Sequence, residues 1–167
     1  MPLITFSEVD SALNRSYGKR MATKSASSIL VEETQRFRLN HRFNIFLSHS
    51  YNDAQLHRDR LLGTKALLEQ FGYSVYVDWI IDQQLNREKV NPNTARILRM
   101  RMSHSRCLLF ATSKNSHNSR WMPWELGFKD GNTGSSGKLG AVAILPLVQD
   151  AGTYSFRGQE YLSLIHI

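Results

Sequence analysis

The clearest indication of the fold is the run Phe43-Asn-Ile-Phe-Leu47, which is followed directly by Ser48-His-Ser-Tyr-Asn-Asp53. Its first part is mostly aromatic and aliphatic, which is typical of a buried strand. Its second part consists of residue types that form turns and cap helices. The sequence therefore predicts a buried strand that leads through a loop into a helix.

The same order of strand, loop and helix recurs along the chain. Apolar residues at helical spacing predict a helix from Ala54 to Phe71, and Gly72 stands where a left-handed C-terminal cap belongs. The strands are continuously apolar and alternate with helices, which is typical of a parallel sheet covered on both faces. We therefore expect an α/β, doubly wound parallel sheet of four to five strands. The other predicted elements are the strands Tyr73–Val77, Cys107–Ala111 and Ala141–Leu145, the last stopped by Pro146, and a helix Asn93–His104.

The two predicted helices have distinct inner and outer faces. On the first helix the inward stripe is Leu61, Thr64, Leu68 and Phe71. On the second helix the inward residues are Ile97, Leu98 and Met102, and the outward residues are Arg96, Arg99 and Arg101. We interpret these arginines as a solvated face, because charge alone does not define a binding patch.

Composition and charge narrow the classes of protein. The 167 residues suffice for one domain with a core, and the formal charge of +7 is spread without blocks of like charge, so nucleic-acid binding is not favoured. The single Cys107 excludes an internal disulfide and a cysteine zinc site, and the six histidines lack metal-ligand spacing, so no metal is expected. Since no leader is seen and the apolar run Ala141–Val148 is too short to span a bilayer, we expect a cytoplasmic protein without membrane contact.

The segment Ser113–Gly127 has the features of a binding site. Ser119 is suited to be a helix N-cap, and Pro123 is tolerated in a first turn, so a helix is predicted to begin here. Trp121 and Glu125 are four residues apart and share a helical face. An indole beside a carboxylate suits a cationic, aromatic ligand.

A purely structural interpretation accounts for the same residues. An acid in the first turn of a helix is favourable because it opposes the positive end of the macrodipole. The tryptophans beside Leu126-Gly-Phe128 would then belong to an ordinary core.

The predicted topology favours the functional interpretation. Ligands of doubly wound sheets bind at the carboxyl ends of the strands, and the loops Ser48–Asp53, Asp78–Pro92 and Ser113–Glu125 follow three of them. We expect these polar loops to converge on one crevice. The stretch Gly131–Lys138 lacks the Walker spacing and follows a helix, so it is predicted to be a flexible turn.

Three motifs in this order resemble a bacterial Toll/interleukin-1 receptor (TIR) domain. They are Phe43-Asn-Ile-Phe-Leu-Ser-His-Ser50, Val75-Tyr-Val-Asp-Trp79, and Ser113 through Trp121-Met-Pro-Trp-Glu-Leu126. The resemblance covers about 43–148, and its most specific part is the Trp-x-x-x-Glu pattern. It implies a flavodoxin-like sheet and cleavage of NAD at the nicotinamide–ribose bond, commonly in anti-phage or other bacterial defence signalling.

The resemblance also implies roles for individual residues. Glu125 is the expected catalytic residue, since nicotinamide leaves as a neutral base and one carboxylate suffices to stabilise or trap the oxocarbenium-like ribose. Trp121 is expected to stack on the pyridinium ring. NAD is then the substrate, and no cofactor is expected. The other expected substrate-binding residues are Ser48, His49, Ser50, Asp78 and Trp79.

The expected organisation has three parts. Residues 1–42 form a helical extension that packs loosely or contacts a partner, residues 43–161 form the TIR-like domain, and residues 162–167 are a non-native tail. The last six residues match one reading frame of a transposon end used in sequencing libraries, so we expect the natural chain to continue beyond Tyr161. The region after Gln149 is short for the last strand and helix of the family, and the Gly-rich turn 131–140 leaves little chain for a helix.

Two alternatives to the enzyme remain at this point. A non-catalytic TIR adaptor would use the loop from Trp79 to Pro92 for assembly alone. In either case the resemblance implies self-association through TIR–TIR contacts, and a downstream effector is a further expected partner. Nucleic-acid binding through the Arg-rich second helix rests on charge only.

Overall fold

In the part of the chain that the structure describes, five parallel strands form one sheet, with helices against both of its faces. The structure, a computed structural model, describes residues 3–34, 41–50, 57–77, 92–113, 116–134 and 141–149. In chain order the elements of that part are β1 Ile4–Thr5, α1 Phe6–Met21, α2 Ala26–Thr34, β2 Phe43–Ser48, α3 Arg58–Gln70, β3 Val75–Tyr76, α4 Pro92–Ser103, β4 Ser105–Thr112, a 3-10 helix Ser116–Asn118, α5 Trp121–Gly134 and β5 Val142–Val148.

The strands lie in the order β1-β5-β4-β2-β3, and each neighbouring pair is parallel. Helices α1, α2 and α3 pack against one face of the sheet, and α4 and α5 pack against the other. The predicted α/β, flavodoxin-like doubly wound sheet is thereby confirmed. Because parallel strands end at the same edge, the chain leaves β2 and β4 side by side.

The core consists of two layers, one on each face of the sheet. On β4, Ala111 packs in the cluster beneath α1, α2 and α3, whereas Leu108 and Phe110 pack in the cluster beneath α4 and α5. Successive side chains of a strand point to opposite faces. Burial on both faces explains why the central strands are apolar without interruption.

The N-terminal segment packs closely on the rest of the chain, which corrects the expected loose packing. Strand β1 extends the sheet, with Ile4 paired to Leu147 and Thr5 to Val148 of β5. Helix α1 begins with a capping box in which Thr5 Oγ1 accepts from the Glu8 N–H and the Glu8 carboxylate accepts from the Thr5 N–H. Its buried residues follow helical spacing: Val9, Ala12, Leu13 and Tyr17. A two-residue strand leaves no detectable pattern in the sequence, which is why this arrangement was not predicted.

A polar network joins α1, α2 and α3. Lys65 is only 1% exposed, and its ammonium group donates to the Glu69 carboxylate at 2.6 Å and to the Tyr17 hydroxyl at 3.4 Å. Glu33 lies 4.0 Å from the same ammonium group. Burial, followed by the Glu69 and Glu33 carboxylates, raises the pKa of the Tyr17 phenol, which therefore stays protonated. Since a buried charge is costly unless it is paired, this network fixes the relative positions of the three helices.

Helix α3 ends at the predicted glycine cap. Gly72 has a φ of 84°, its N–H donates to the Glu69 carbonyl at 2.9 Å, and the Tyr73 N–H donates to the Leu68 carbonyl at 3.4 Å. These are the two bonds of a Schellman motif. Phe71 was predicted to face inward but is 70% exposed, because the helix ends at Gln70 and Phe71 no longer continues its apolar face. The described helix begins at Arg58, and the predicted start at Ala54 lies outside the described residues.

Helix α4 has the predicted apolar face but not the predicted arginine face. Leu98 and Met102 are fully buried, and Arg96 and Arg99 are exposed, as expected. Arg101 was predicted to face solvent, but it is 1% exposed, with its guanidinium 5.2 Å from the centroid of the Tyr76 ring. A guanidinium over an aromatic face is favourable, so Arg101 belongs to the packing between α4 and β3.

Two predictions about the last part of the described chain were also wrong. Strand β5 does not stop at Pro146 but continues to Val148. Along β5, the residue pairs with β4 run as far as Pro146, and the residue pairs with β1 begin at Leu147. The range Gly131–Gly134, predicted to be part of a flexible turn, forms the end of α5.

The approach of α1 to α3 generates a test at Gly63. A methyl group at this position would lie 2.7 Å from both Cγ1 and the carbonyl oxygen of Val9. We expect Gly63→Ala to lower the free energy of unfolding by about 1–3 kcal/mol, measured by urea denaturation, because the backbone of α1 has to shift. Gly18→Ala on α1 is the control. A methyl group there meets nothing within 4 Å, so it should be neutral or stabilise by about 0.5–1 kcal/mol. Equal stability of the two variants would contradict the close packing.

Candidate active site at the carboxyl ends of β2 and β4

A buried carboxylate lies where β2 ends. The hydroxyl group of Ser48, the last residue of β2, donates to Oε2 of Glu125 at 2.6 Å. Ser48 is 1% exposed and Glu125 is 0% exposed. This distance is within the range of a well-formed O–H···O hydrogen bond. The bond therefore holds the carboxylate in one position at the edge of the sheet.

The register of the sheet explains why Ser48 meets this helix. Ser48 is paired with Phe110 on β4. Phe46, two residues before Ser48, lies in the core cluster beneath α4 and α5. Because side chains alternate along a strand, Ser48 also faces α5.

The residue at which α5 begins determines the helical turn in which Glu125 lies. Ser119 Oγ accepts from the Met122 N–H at 3.2 Å, as expected of the predicted N-cap. The helix begins at Trp121, so its first turn holds no acidic residue and Glu125 lies in the second turn. The helix macrodipole acts mainly within the first turn. The helix macrodipole therefore does not explain why an acidic residue lies at position 125.

The other predicted site residues have different surroundings. His49 and Ser50 follow Ser48 directly and are buried, at 1% and 2% exposure. Trp121 is 5% exposed, lies in the core cluster and makes an edge-to-face contact with Trp124, with ring centroids 5.5 Å apart. This burial supports the core-packing interpretation of Trp121, and its stacking on a ligand stays a prediction. Asp78 and Trp79 lie outside the described residues, as does the connection 80–91.

Lys129, one turn after Glu125, holds α5 in place and is not among the residues that the sequence pattern singles out. Its buried ammonium group donates to the carbonyl oxygens of Met102 at 2.9 Å and Ser105 at 2.5 Å, at the junction of α4 and β4. Burial lowers the pKa of this ammonium group. Spacing could have indicated that Lys129 is buried, since Glu125 and Lys129 are charged residues on the same helical stripe as apolar Met122.

The arrangement is suited to stabilise positive charge on a ligand. A buried carboxylate is costly unless it is hydrogen-bonded, and such groups concentrate at functional sites. Away from water, a fixed carboxylate acts strongly on a cation that develops beside it. Within the described ranges no three His, Cys, Asp or Glu side chains are grouped so that they could hold a metal ion. None of the helices in those ranges has the length and apolar character needed to cross a bilayer.

Comparison with known proteins indicates the family to which the chain belongs. No protein-family model matches the chain. The "Probable 3′ cyclic ADP-D-ribose synthase ThsB′" of Bacillus cereus (strain MSX-D12) is 47% identical over 141 residues, which cover 84% of this chain and 68% of that protein. The "Putative cyclic ADP-D-ribose synthase TIR2" of Cytobacillus dafuensis is 31% identical over 90 residues, which cover 52% of this chain and 22% of that protein.

The flavodoxin-like sheet, the Trp-x-x-x-Glu helix and the extended similarity to ThsB′ lead to one assignment. The chain belongs to the bacterial TIR-domain family. Its similarity to ThsB′ of Bacillus cereus exceeds its similarity to TIR2 of Cytobacillus dafuensis in both identity and coverage.

Replacing Lys129 tests how α5 is held. We expect Lys129→Met to lower the free energy of unfolding by about 1–3 kcal/mol, because the carbonyl groups of Met102 and Ser105 lose a buried donor. Urea denaturation measures the change. Lys19→Met, which alters an exposed lysine of α1, should stay within about 0.5 kcal/mol of the wild type. Unchanged stability of Lys129→Met would show that the two hydrogen bonds do not anchor the helix.

Proposed function

We propose that this protein cleaves the bond between nicotinamide and ribose in NAD, with Glu125 as the catalytic carboxylate, and that its product is a cyclic ADP-D-ribose. The observation that carries the proposal is the buried hydrogen bond between Ser48 and Glu125 at the carboxyl edge of the sheet. That edge is where doubly wound folds bind their ligands. Both similar proteins are named as cyclic ADP-D-ribose synthases.

The reaction needs a fixed negative charge more than it needs an acid. When the bond between the ribose C1 atom and the pyridinium nitrogen breaks, nicotinamide leaves with the electron pair as a neutral base. The ribose ring is left with oxocarbenium character, which a carboxylate beneath it stabilises or traps covalently. Glu125 supplies this carboxylate in the proposal, and the Ser48 hydroxyl group orients it.

The names of the two similar proteins favour a cyclic product over hydrolysis. Glu125, Ser48, His49 and Ser50 are each at most 2% exposed. In a site with little water, a hydroxyl group from the other end of the same NAD molecule is the better-placed nucleophile. Its oxygen forms the new bond to the ribose C1 atom, and its proton is released to a base or to solvent.

The remaining predicted residues complete the proposal. His49 and Ser50 hydrogen-bond ribose or phosphate groups, Trp121 stacks on the pyridinium ring, and Asp78 and Trp79 are further substrate-binding residues. No cofactor takes part. In its cellular setting the protein acts in the cytoplasm in anti-phage defence, assembles through TIR–TIR contacts that involve the loop 79–92, and passes its product to an effector.

Replacing Glu125 separates the enzyme from a non-catalytic adaptor. We expect Glu125→Gln, which keeps an acceptor for Ser48, to lower NAD turnover at least about 100-fold because the negative charge is lost. Asp130→Asn, which neutralises an exposed carboxylate of the same helix, should keep wild-type turnover. Nicotinamide release is followed at high protein concentration, with mass spectrometry of the products and circular dichroism to show that each variant is folded.

Each outcome of this experiment has a defined meaning. Release of nicotinamide by the wild type and by Asp130→Asn, but not by Glu125→Gln, supports the proposal. Free ADP-ribose as the main product would show that the protein hydrolyses NAD and does not cyclise it. Full turnover by Glu125→Gln would overturn the role of Glu125, and lack of turnover by all three folded proteins would favour the adaptor.

A further inference from the structure

A second polar group lies at the same edge of the sheet and has no assigned role. Thr112 is the last residue of β4. Its hydroxyl oxygen is shielded from solvent and has no hydrogen-bond partner among the described residues. Most buried hydroxyl groups are bonded, so each exception requires an explanation.

The alternation of β4 shows which way this hydroxyl group faces. Leu108 and Phe110 lie in the cluster beneath α4 and α5, whereas Leu109 and Ala111 pack against the opposite cluster. Thr112 continues the first series, so it faces the side of the sheet that α5 covers. This is also the side on which Ser48 bonds to Glu125.

Register gives the separation between Thr112 and the candidate catalytic pair. Ser48 is paired with Phe110, and Thr112 is two residues further toward the carboxyl edge. Strand spacing and rise per residue then place the two backbone positions roughly 8 Å apart. One nucleoside is large enough to contact both side chains.

The neighbouring strand does not offer Thr112 a backbone donor at its own level. Its register partner on β5 is Pro146, which has no N–H group. A valine would fill almost the same space as threonine without burying a polar group, and it would suit a strand equally well. A threonine in this place is therefore explained by something other than packing.

We propose that the Thr112 hydroxyl group binds a ribose hydroxyl of NAD at the carboxyl edge of the sheet, on the face that carries Glu125. The inference rests on the proposed function and assigns a further substrate-binding residue to it. A ribose hydroxyl is neutral and can both donate and accept, so it satisfies a threonine hydroxyl without bringing an unpaired charge into a buried place. In the free protein the group stays desolvated, and the substrate restores its hydrogen bond.

The test compares Thr112→Val, which removes only the hydroxyl group, with Thr112→Ser, which keeps it. Both changes are made in the wild type and in Glu125→Gln. Kinetics of the wild-type series give KM and kcat for NAD, and the thermal shift produced by NAD in the Glu125→Gln series reports binding without turnover. We expect Thr112→Val to raise KM and the apparent Kd about tenfold, as for one lost hydrogen bond. Its Tm without NAD should be equal to or above that of the parent, and Thr112→Ser should bind NAD like the parent.

The outcomes separate this inference from the proposed function. Unchanged KM and NAD affinity in Thr112→Val would overturn the inference alone, provided that the wild type consumes NAD. A fall in the Tm of Thr112→Val without NAD, together with unchanged affinity, would assign the hydroxyl group to folding and also overturn it. Absence of both NAD turnover and NAD binding in every variant would overturn the inference and the proposed function together.

Discussion

The parallel pairing of β2 with β4 is the constraint on which the site depends. It sets Ser48 level with Phe110 and directs the Ser48 side chain toward α5, where Glu125 accepts its hydrogen bond. A shift of one residue in this register would turn Ser48 to the opposite face, because side chains alternate along a strand. Position and orientation of the carboxylate therefore both depend on backbone hydrogen bonds of the sheet.

Helix α5 meets this constraint because it is held at its start and again beyond its middle. Ser119 caps its first turn, and Lys129 binds two carbonyl groups at the junction of α4 and β4. Glu125 lies between these attachments, in a helix that contributes Trp121 and Met122 to the core. A side chain supported in this way keeps its geometry without a bound ligand, which lowers the cost of ordering the candidate site on binding.

Features that depend on local sequence were predicted well. The strand at Phe43, the cap at Gly72 and the N-cap at Ser119 follow from neighbouring residues alone, since apolar runs and capping groups act within a few positions. Features that depend on distant contacts were not. Arg101 is buried because it lies over Tyr76, and Lys129 is buried because two carbonyl groups accept from it. Neither contact leaves a pattern in the sequence.

By itself the sequence determined the α/β class, the order of β2, β3, β4 and β5 along the chain, and the residue types at the carboxyl edge, because apolar periodicity and turn chemistry are local properties. The pairing of β1 with β5 and the packing of α1 on α3 across Gly63 are seen only in the tertiary structure. The same is true of the hydrogen bond between Ser48 and Glu125 and of the position of Thr112 on the same face of the sheet. These contacts join residues far apart in the chain, and their free energy comes from burial and hydrogen bonding that exist only once the sheet has formed.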